Sequence, residues 1–85
     1  MYRVQIRKKA KKELDRIPKE RKKRILASLL YLATDPFVGE ALKAEFLGFY
    51  SLHIPPYRII YQIYKQKLLV LVVRVRHRKD AYKKQ

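Results

Sequence analysis

The chain has 85 residues, of which 22 are Lys or Arg and 7 are Asp or Glu, so its formal net charge is +15. With 48% hydrophobic residues the chain is too apolar for the intrinsically disordered class, and its length suits one small domain and excludes a second. The absence of cysteine excludes a disulfide framework, a thiolate metal site and a thiol nucleophile.

The first part of the chain predicts one strand followed by a helical hairpin. Residues 1–7 alternate apolar and polar side chains with the period of a half-buried edge strand. From Lys8 the period lengthens to that of a helix with one apolar stripe, which Pro18 ends. A second helix with a broader apolar stripe is predicted for residues 19–34, and it ends near Asp35-Pro36.

The second part predicts a loop, three strands and a basic tail. Residues 37–47 show no clear period and are expected to form a loop with one helical turn. Alternating patterns predict strands at 49–54 and 57–64, and an almost wholly apolar strand follows at 68–75. The remaining residues, 76–85, are strongly basic and are expected to form a tail or a short helix.

The predicted fold class is α+β, with the elements in the order strand, helix, helix and three strands. The helical hairpin packs on one face of a small antiparallel sheet, because each element buries only one face. The opposite face of the sheet stays open, and the functional residues are expected there. We expect one domain spanning residues 1–85 and, because no long apolar run or signal-peptide pattern is present, a cytoplasmic location.

Arginines at two places in the sequence are candidates for binding a phosphate. Arg58 stands in an otherwise apolar strand, so it emerges on the open face if its neighbouring tyrosines face the helices. Strand geometry places Arg74, Arg76 and, if the strand continues, Arg78 on one face. A guanidinium fork suits a phosphate, and arginines on adjacent strands can converge on one. The alternative is that these are solvated charges at the end of a sheet.

Three ring-bearing side chains are further candidates. Tyr82, among basic residues, can stack on a nucleobase or fix the tail to the sheet. His53 and His77 are the two imidazoles, and each is a candidate general base or acid or a structural residue. No cofactor or metal is expected, because the helical acids have the spacing of partners for lysines. These acids are Glu13, Asp15 and Glu20.

The order of elements and two segments, YRIIY at 57–61 and HRKDAY at 77–82, resemble the RelE/ParE toxin superfamily. The resemblance covers nearly the whole chain. It implies a toxin of a type II toxin–antitoxin system with an antitoxin partner. RelE-like members enter the ribosomal A site and cut messenger RNA, so the resemblance also implies that activity.

The resemblance implies roles for individual residues. Arg58 corresponds to the strand arginine that contacts the scissile phosphate, Arg78 to the arginine that stabilises the transition state and leaving group, and Tyr82 to the aromatic residue near the substrate. On the earlier strand the family has lysines near the reacting ribose. Here Ser51 and His53 stand closest, so the proton-transfer step departs from the family pattern.

Several other residues are expected to contact RNA. Lys43 resembles a lysine common in the family before this strand, where an RNA-binding, structural or partner-binding role is open. The lysines of the helical hairpin could contact RNA phosphates non-specifically or receive an acidic partner segment. The complete set of RNA-contact candidates outside the catalytic group is Lys43, Ser51, Arg74, Arg76 and Lys79.

The leading hypothesis is therefore a ribosome-dependent endoribonuclease that cleaves messenger RNA by attack of a ribose 2′-hydroxyl, without a metal. Its expected partners are messenger RNA, the ribosome and an acidic or partly disordered antitoxin segment. Two alternatives remain open from the sequence. One is an inhibitor of DNA gyrase similar to ParE toxins, and the other is a basic RNA- or ribosome-binding module without catalysis.

Overall fold

The computed structural model describes residues 1–81, and its elements follow the predicted order. The predicted helical hairpin and the strands after it are confirmed, and the last strand continues two residues beyond the predicted end. The strands are β1 (Arg3–Ile6), β2 (Glu40–Ala41), β3 (Phe49–Ile54), β4 (Tyr57–Tyr64) and β5 (Leu69–His77). The helices are α1 (Lys8–Asp15), α2 (Lys19–Thr34) and α3 (Arg78–Ala81).

The five strands of the described chain form a sheet in the order β1-β5-β4-β3-β2. The predicted α+β class and the edge position of β1 are confirmed, but the sheet is mixed rather than purely antiparallel. β1 pairs in parallel with β5, whereas all other neighbours are antiparallel. Periodicity shows that a strand is half buried without showing its direction relative to a neighbour.

The helical hairpin covers one face of the sheet because each helix buries one apolar stripe. α1 buries Ala10 and Leu14, and α2 buries Ile25, Leu29 and Leu32. None of the helices in residues 1–81 is long and apolar enough to cross a bilayer. The sheet residues buried beneath the helices include Tyr57, Ile59, Tyr61, Val70, Val72 and Val75.

Asp15 links the two helices of the hairpin. Its carboxylate accepts hydrogen bonds at 3.0 Å from Lys11, four residues earlier, and from Lys22 in α2. Hydrogen bonds from Lys11 and then Lys22 hold the pKa of the Asp15 carboxyl below its usual range. The predicted pairing of a helical acid with a lysine is thus confirmed for Asp15. Pro18 lies between the two helices, as the sequence predicts, and immediately precedes the first residue of α2.

The segment between α2 and β3 contains two 3₁₀ turns and β2, where the sequence predicts a loop with one helical turn. A strand of two residues is too short to show the alternation of apolar and polar side chains, so the sequence does not predict β2. Tyr61 fastens this segment to the core, since its hydroxyl donates to the carbonyl oxygen of Pro36 at 2.7 Å. Burial raises the pKa of Tyr61 to about 12. Gly39 lies against the same hydroxyl, where a larger residue has no room.

A β-bulge in β5 sets which side chains reach the open face. The register pairs Ile60 with Arg74 but Tyr61 with Val72, which leaves Val73 as an extra residue in β5. Val72 is therefore buried under the helices, whereas Arg74, only two residues later, lies on the other side. Strict alternation would put both on the same face.

Gly39→Ala is expected to lower the free energy of unfolding by about 1 to 3 kcal/mol. The added β-carbon would overlap the Tyr61 hydroxyl and would lie 3.0 Å from the carbonyl oxygen of Ser51. Urea unfolding measures the loss. In a Tyr61→Phe background the same substitution should cost less, because the overlapping oxygen is gone. Equal losses in the two backgrounds would contradict the assigned contact.

Candidate functional site

A cleft of about 400 Å³ lies on the open face of the sheet, opposite the helical hairpin. One part of its wall is basic and polar, and the other part is apolar. The basic and polar part consists of Ser51, Arg58, Arg74 and Arg76. The apolar part consists of Leu42, Phe46, Phe49, Ile60 and Val73.

Arg58 and Arg76 lie directly opposite each other on β4 and β5. Adjacent strands are ~4.8 Å apart, so the two guanidinium groups can reach one anion. Arg58 Nη1 donates to Ser51 Oγ at 3.3 Å, and Ser51 is only 4% exposed, so this contact holds the Arg58 side chain against the sheet. A phosphate carries the charge opposite to both side chains, and a guanidinium group can donate two hydrogen bonds to it.

Arg74 lines the cleft and is also paired with Glu13 of α1. Its Nη2 and Nε atoms lie 2.7 and 3.0 Å from Glu13 Oε2. Glu13 Oε1 also accepts a hydrogen bond from the Val75 backbone N–H at 2.8 Å. The prediction that Glu13 pairs with a lysine of its own helix is thus wrong, because the carboxylate turns inward to β5. This contact joins α1 to the strand that carries Arg76.

His77 lies on the opposite face of the sheet from Arg58. It pairs in register with the buried Tyr57, and the two rings meet edge to face with centroids 5.3 Å apart. His77 Nδ1 accepts a hydrogen bond from the Lys79 backbone N–H at 3.1 Å. The sequence prediction grouped His77 with the candidate bases, but the covered face and the occupied nitrogen separate it from the cleft.

Arg78 is the first residue of α3, so the strand ends before it. Its backbone N–H donates to the carbonyl oxygen of Pro56 at 2.7 Å, which fixes it beside the start of β4. Among the described residues, the cleft is lined by Arg76 and not by Arg78. The conditional expectation that Arg78 continues the strand face is therefore corrected. Tyr82 lies outside the described residues.

The remaining described candidates, His53, Lys43 and Lys79, do not line the cleft. His53 is exposed on β3 and is the cross-strand neighbour of Arg58. Because β2 covers only part of β3, His53 also lines a second groove between β3 and α2. Lys43 is exposed in the segment between Leu42 and Phe46, both of which line the cleft. Lys79 is exposed in α3.

Sequence reasoning missed the aromatic wall of the cleft. Phe46 is 54% exposed, and Phe49 begins β3 on the same face as Ser51. An exposed aromatic ring beside guanidinium groups can stack on a nucleobase. The available signal was the phase of β3, which puts Phe49 in line with Ser51. Phe46 lies in a 3₁₀ turn without periodicity, so no pattern indicated it.

A sequence model of one known protein family matches most of the chain. Residues 4–82 match the sequence model of the family described as "ParE toxin of type II toxin-antitoxin system, parDE". The chain is 32% identical over 89 residues to a protein named Toxin RelG from Mycobacterium tuberculosis (strain ATCC 25618 / H37Rv), and the match covers 98% of each chain.

Solved structures show the same fold. A chain in the toxin–antitoxin complex RelBE2 from Mycobacterium tuberculosis superposes with a TM-score of 0.85 at 27% identity, covering 89% of this chain and 96% of that one. A chain in the archaeal RelE–RelB complex from Pyrococcus horikoshii OT3 gives a TM-score of 0.78 at 26% identity, covering 91% and 94%.

The contact of Glu13 with β5 can be tested by substitution. Glu13→Ala is expected to lower the free energy of unfolding by about 1 to 3 kcal/mol, because it removes the acceptor of both the Arg74 guanidinium and the Val75 N–H. Glu13→Gln keeps one acceptor oxygen and should cost less. Glu20→Ala, at an exposed position of α2, is the control. Urea unfolding that finds Glu13→Ala as mild as Glu20→Ala would refute this role.

Proposed function

Since this chain belongs to the RelE/ParE superfamily of type II toxin–antitoxin toxins, we propose that it is a metal-independent endoribonuclease that cleaves messenger RNA in the ribosomal A site. The observation that carries the proposal is the pairing of Arg58 with Arg76 across adjacent strands, in a cleft on the open face of the sheet. We also propose that residues 1–85 form a single toxin domain. An antitoxin and the ribosome would be its partners.

The chemistry requires charge stabilisation more than a protein nucleophile. A ribose 2′-oxygen forms a bond to the adjacent phosphorus, and the bond from phosphorus to the 5′-oxygen breaks, leaving a cyclic phosphate and a 5′-hydroxyl. Negative charge grows on the nonbridging oxygens as the bond forms. Two guanidinium groups on adjacent strands, those of Arg58 and Arg76, can donate to those oxygens. The resemblance implies that Arg78, the first residue of α3, stabilises the charge on the leaving 5′-oxygen.

The proton must leave the 2′-oxygen and another must reach the 5′-oxygen. Of the two histidines, His53 is the cross-strand neighbour of Arg58, whereas His77 packs on the covered face. We therefore assign an acid or base role to His53 and a structural role to His77. Ser51 supports this arrangement by accepting the hydrogen bond that holds Arg58.

The apolar part of the cleft wall would bind a nucleobase of the messenger RNA. Phe46 and Phe49 face the cleft from the side opposite β5, and base stacking on an aromatic side chain contributes about 1 to 3 kcal/mol. A base held there would orient its ribose for in-line attack, which is a positioning contribution to the rate. The resemblance adds Tyr82 to this role.

An antitoxin partner fits a surface on the other side of the molecule. Exposed apolar residues on α2 include Leu30, which is 74% exposed, together with Leu26 and Tyr31. Tyr31 borders the groove between α2 and β3. An amphipathic segment with an acidic face would bury these side chains and complement the charge of +15. The similar chain from Mycobacterium tuberculosis was solved in a toxin–antitoxin complex, and the one from Pyrococcus horikoshii in a RelE–RelB complex.

A second candidate is inhibition of DNA gyrase, the activity expected of a ParE-like toxin. Two observations favour it. The matching family model is that of the ParE toxins, and by the resemblance Ser51 and His53 stand closest to the place where RelE-like toxins have lysines near the reacting ribose. A supercoiling assay with purified gyrase distinguishes this candidate from messenger RNA cleavage.

Arg58→Ala and Arg76→Ala are each expected to slow cleavage of ribosome-bound messenger RNA by about 100-fold or more, because each removes a donor to the developing charge. Primer extension on programmed ribosomes measures the rate. Arg24→Ala, at an exposed position of α2, should cleave like the unchanged protein. Cleavage at the unchanged rate in both cleft variants would refute the proposal that Arg58 and Arg76 bind the scissile phosphate. Absent cleavage combined with inhibited supercoiling would favour the second candidate.

Leu30→Glu is expected to weaken antitoxin binding at least about tenfold, because it places a charge where an apolar side chain would be buried. The partner is the product of the small gene adjacent to the one for this chain, measured by copurification and calorimetry. Leu68→Glu, at an exposed turn before β5, is the control. If no adjacent gene product binds, the proposal of an antitoxin partner is refuted. If the two substitutions weaken binding equally, the proposal that the antitoxin binds at Leu30 is refuted.

A further inference from the structure

A second concave basic surface lies on the outer side of α1. It has a volume of about 610 Å³, and the described residues that line it are six charged side chains, of which five are cationic. We call it the α1 groove. Its lining consists of Lys8, Lys9, Lys12, Glu13, Arg16 and Arg74.

Helical spacing produces the row of charges in the α1 groove. Lys8, Lys12 and Arg16 follow one another at intervals of four residues, which places them on one side of α1 at steps of ~6 Å. The buried residues Ala10 and Leu14 occupy the opposite side of the helix. The row therefore faces solvent while the helix packs on β5.

Arg74 connects the α1 groove to the cleft, because its side chain lines both. Its two hydrogen bonds to Glu13 Oε2 hold the guanidinium between the two concavities. Glu13 balances the charge of Arg74 itself. The other four cations of the groove remain to attract an anion.

We propose that the α1 groove is a second phosphate-binding site, which holds the continuation of the RNA strand whose scissile phosphate lies between Arg58 and Arg76. This inference rests on the proposed function of the cleft. The strand passes Arg74 as it leaves the cleft and then follows the basic row along α1, so that several consecutive phosphates are neutralised.

The chemistry of the lining favours a polynucleotide over an acidic protein segment. Among the described residues, no aromatic or aliphatic side chain lines the groove, whereas such side chains are the anchors of most protein interfaces. Exposed apolar side chains of that kind lie instead on α2, where they include Leu26, Leu30 and Tyr31. A strand with one phosphate per nucleotide needs only a repeated row of cations, which α1 supplies.

The test uses single-stranded RNA with 2′-O-methyl riboses, which binds without being cut. Fluorescence anisotropy measures the affinity for oligonucleotides of about 4 and about 12 nucleotides at several salt concentrations. The groove variant is Lys8→Gln, Lys12→Gln and Arg16→Gln. The control variant, Lys19→Gln, Lys23→Gln and Arg24→Gln, removes the same charge from exposed positions of α2. Urea unfolding verifies that both variants fold.

The groove variant should lose most of the affinity gained by lengthening the RNA, whereas the control variant should keep it. Three lost phosphate contacts would lower the salt slope by about 2, so raising salt from about 50 to about 200 mM would weaken binding about 20-fold less in the groove variant. Equal affinities and slopes in the two variants would overturn the proposal.

Two further measurements separate the alternatives. If the groove substitutions weaken binding of polyglutamate and leave the longer RNA unaffected, the groove serves an acidic protein and the proposal is overturned. Cleavage on ribosomes is measured in parallel. If the unchanged protein does not cleave, but the length-dependent difference between the variants persists, the groove is supported and only the nuclease assignment of the cleft is refuted.

Discussion

The β-bulge in β5 is the constraint on which the candidate site depends. Val70 and Val72 must face the helices to complete the core, and Arg74 and Arg76 must face away from them. These four residues share one parity along the strand, so a regular strand would bury the arginines or expose the valines. The extra residue, Val73, resolves the conflict by shifting the phase once. Bulges are common beside active sites for this reason, since they redirect a side chain without ending the sheet.

Most of the fold could be predicted because its elements are long enough to show a period. α1, α2, β3 and β4 each bury one stripe or face, and Pro18 and Pro55 mark boundaries by removing a backbone donor. The parallel pairing of β1 and the two-residue β2 could not be predicted in this way. Strand direction and very short pairings are set by tertiary packing, which leaves no repeating pattern in the sequence.

Part of the candidate site could also be predicted from the alternation of apolar and polar residues. Arg58 interrupts an apolar pattern, which indicated the open face on which it lies. The prediction that His77 is a candidate acid or base overlooked strand alternation, which places His77 on the face opposite Arg74 and Arg76. The pairing of Arg74 with Glu13 joins residues 61 positions apart, and no local pattern reports such a contact. Phe46 was missed because its turn has no periodicity.

The carboxylate of Glu13 also protects an exposed strand edge. β1 pairs with β5 only as far as Val72, and no other strand within residues 1–81 lies beside the outer edge of β5 beyond that point. Unoccupied backbone donors on such an edge invite a strand from another molecule to extend the sheet. By accepting the Val75 N–H, Glu13 removes one of those donors, and α1 blocks the approach. Glu13 therefore leaves fewer backbone donors on this edge for a strand of another molecule to pair with.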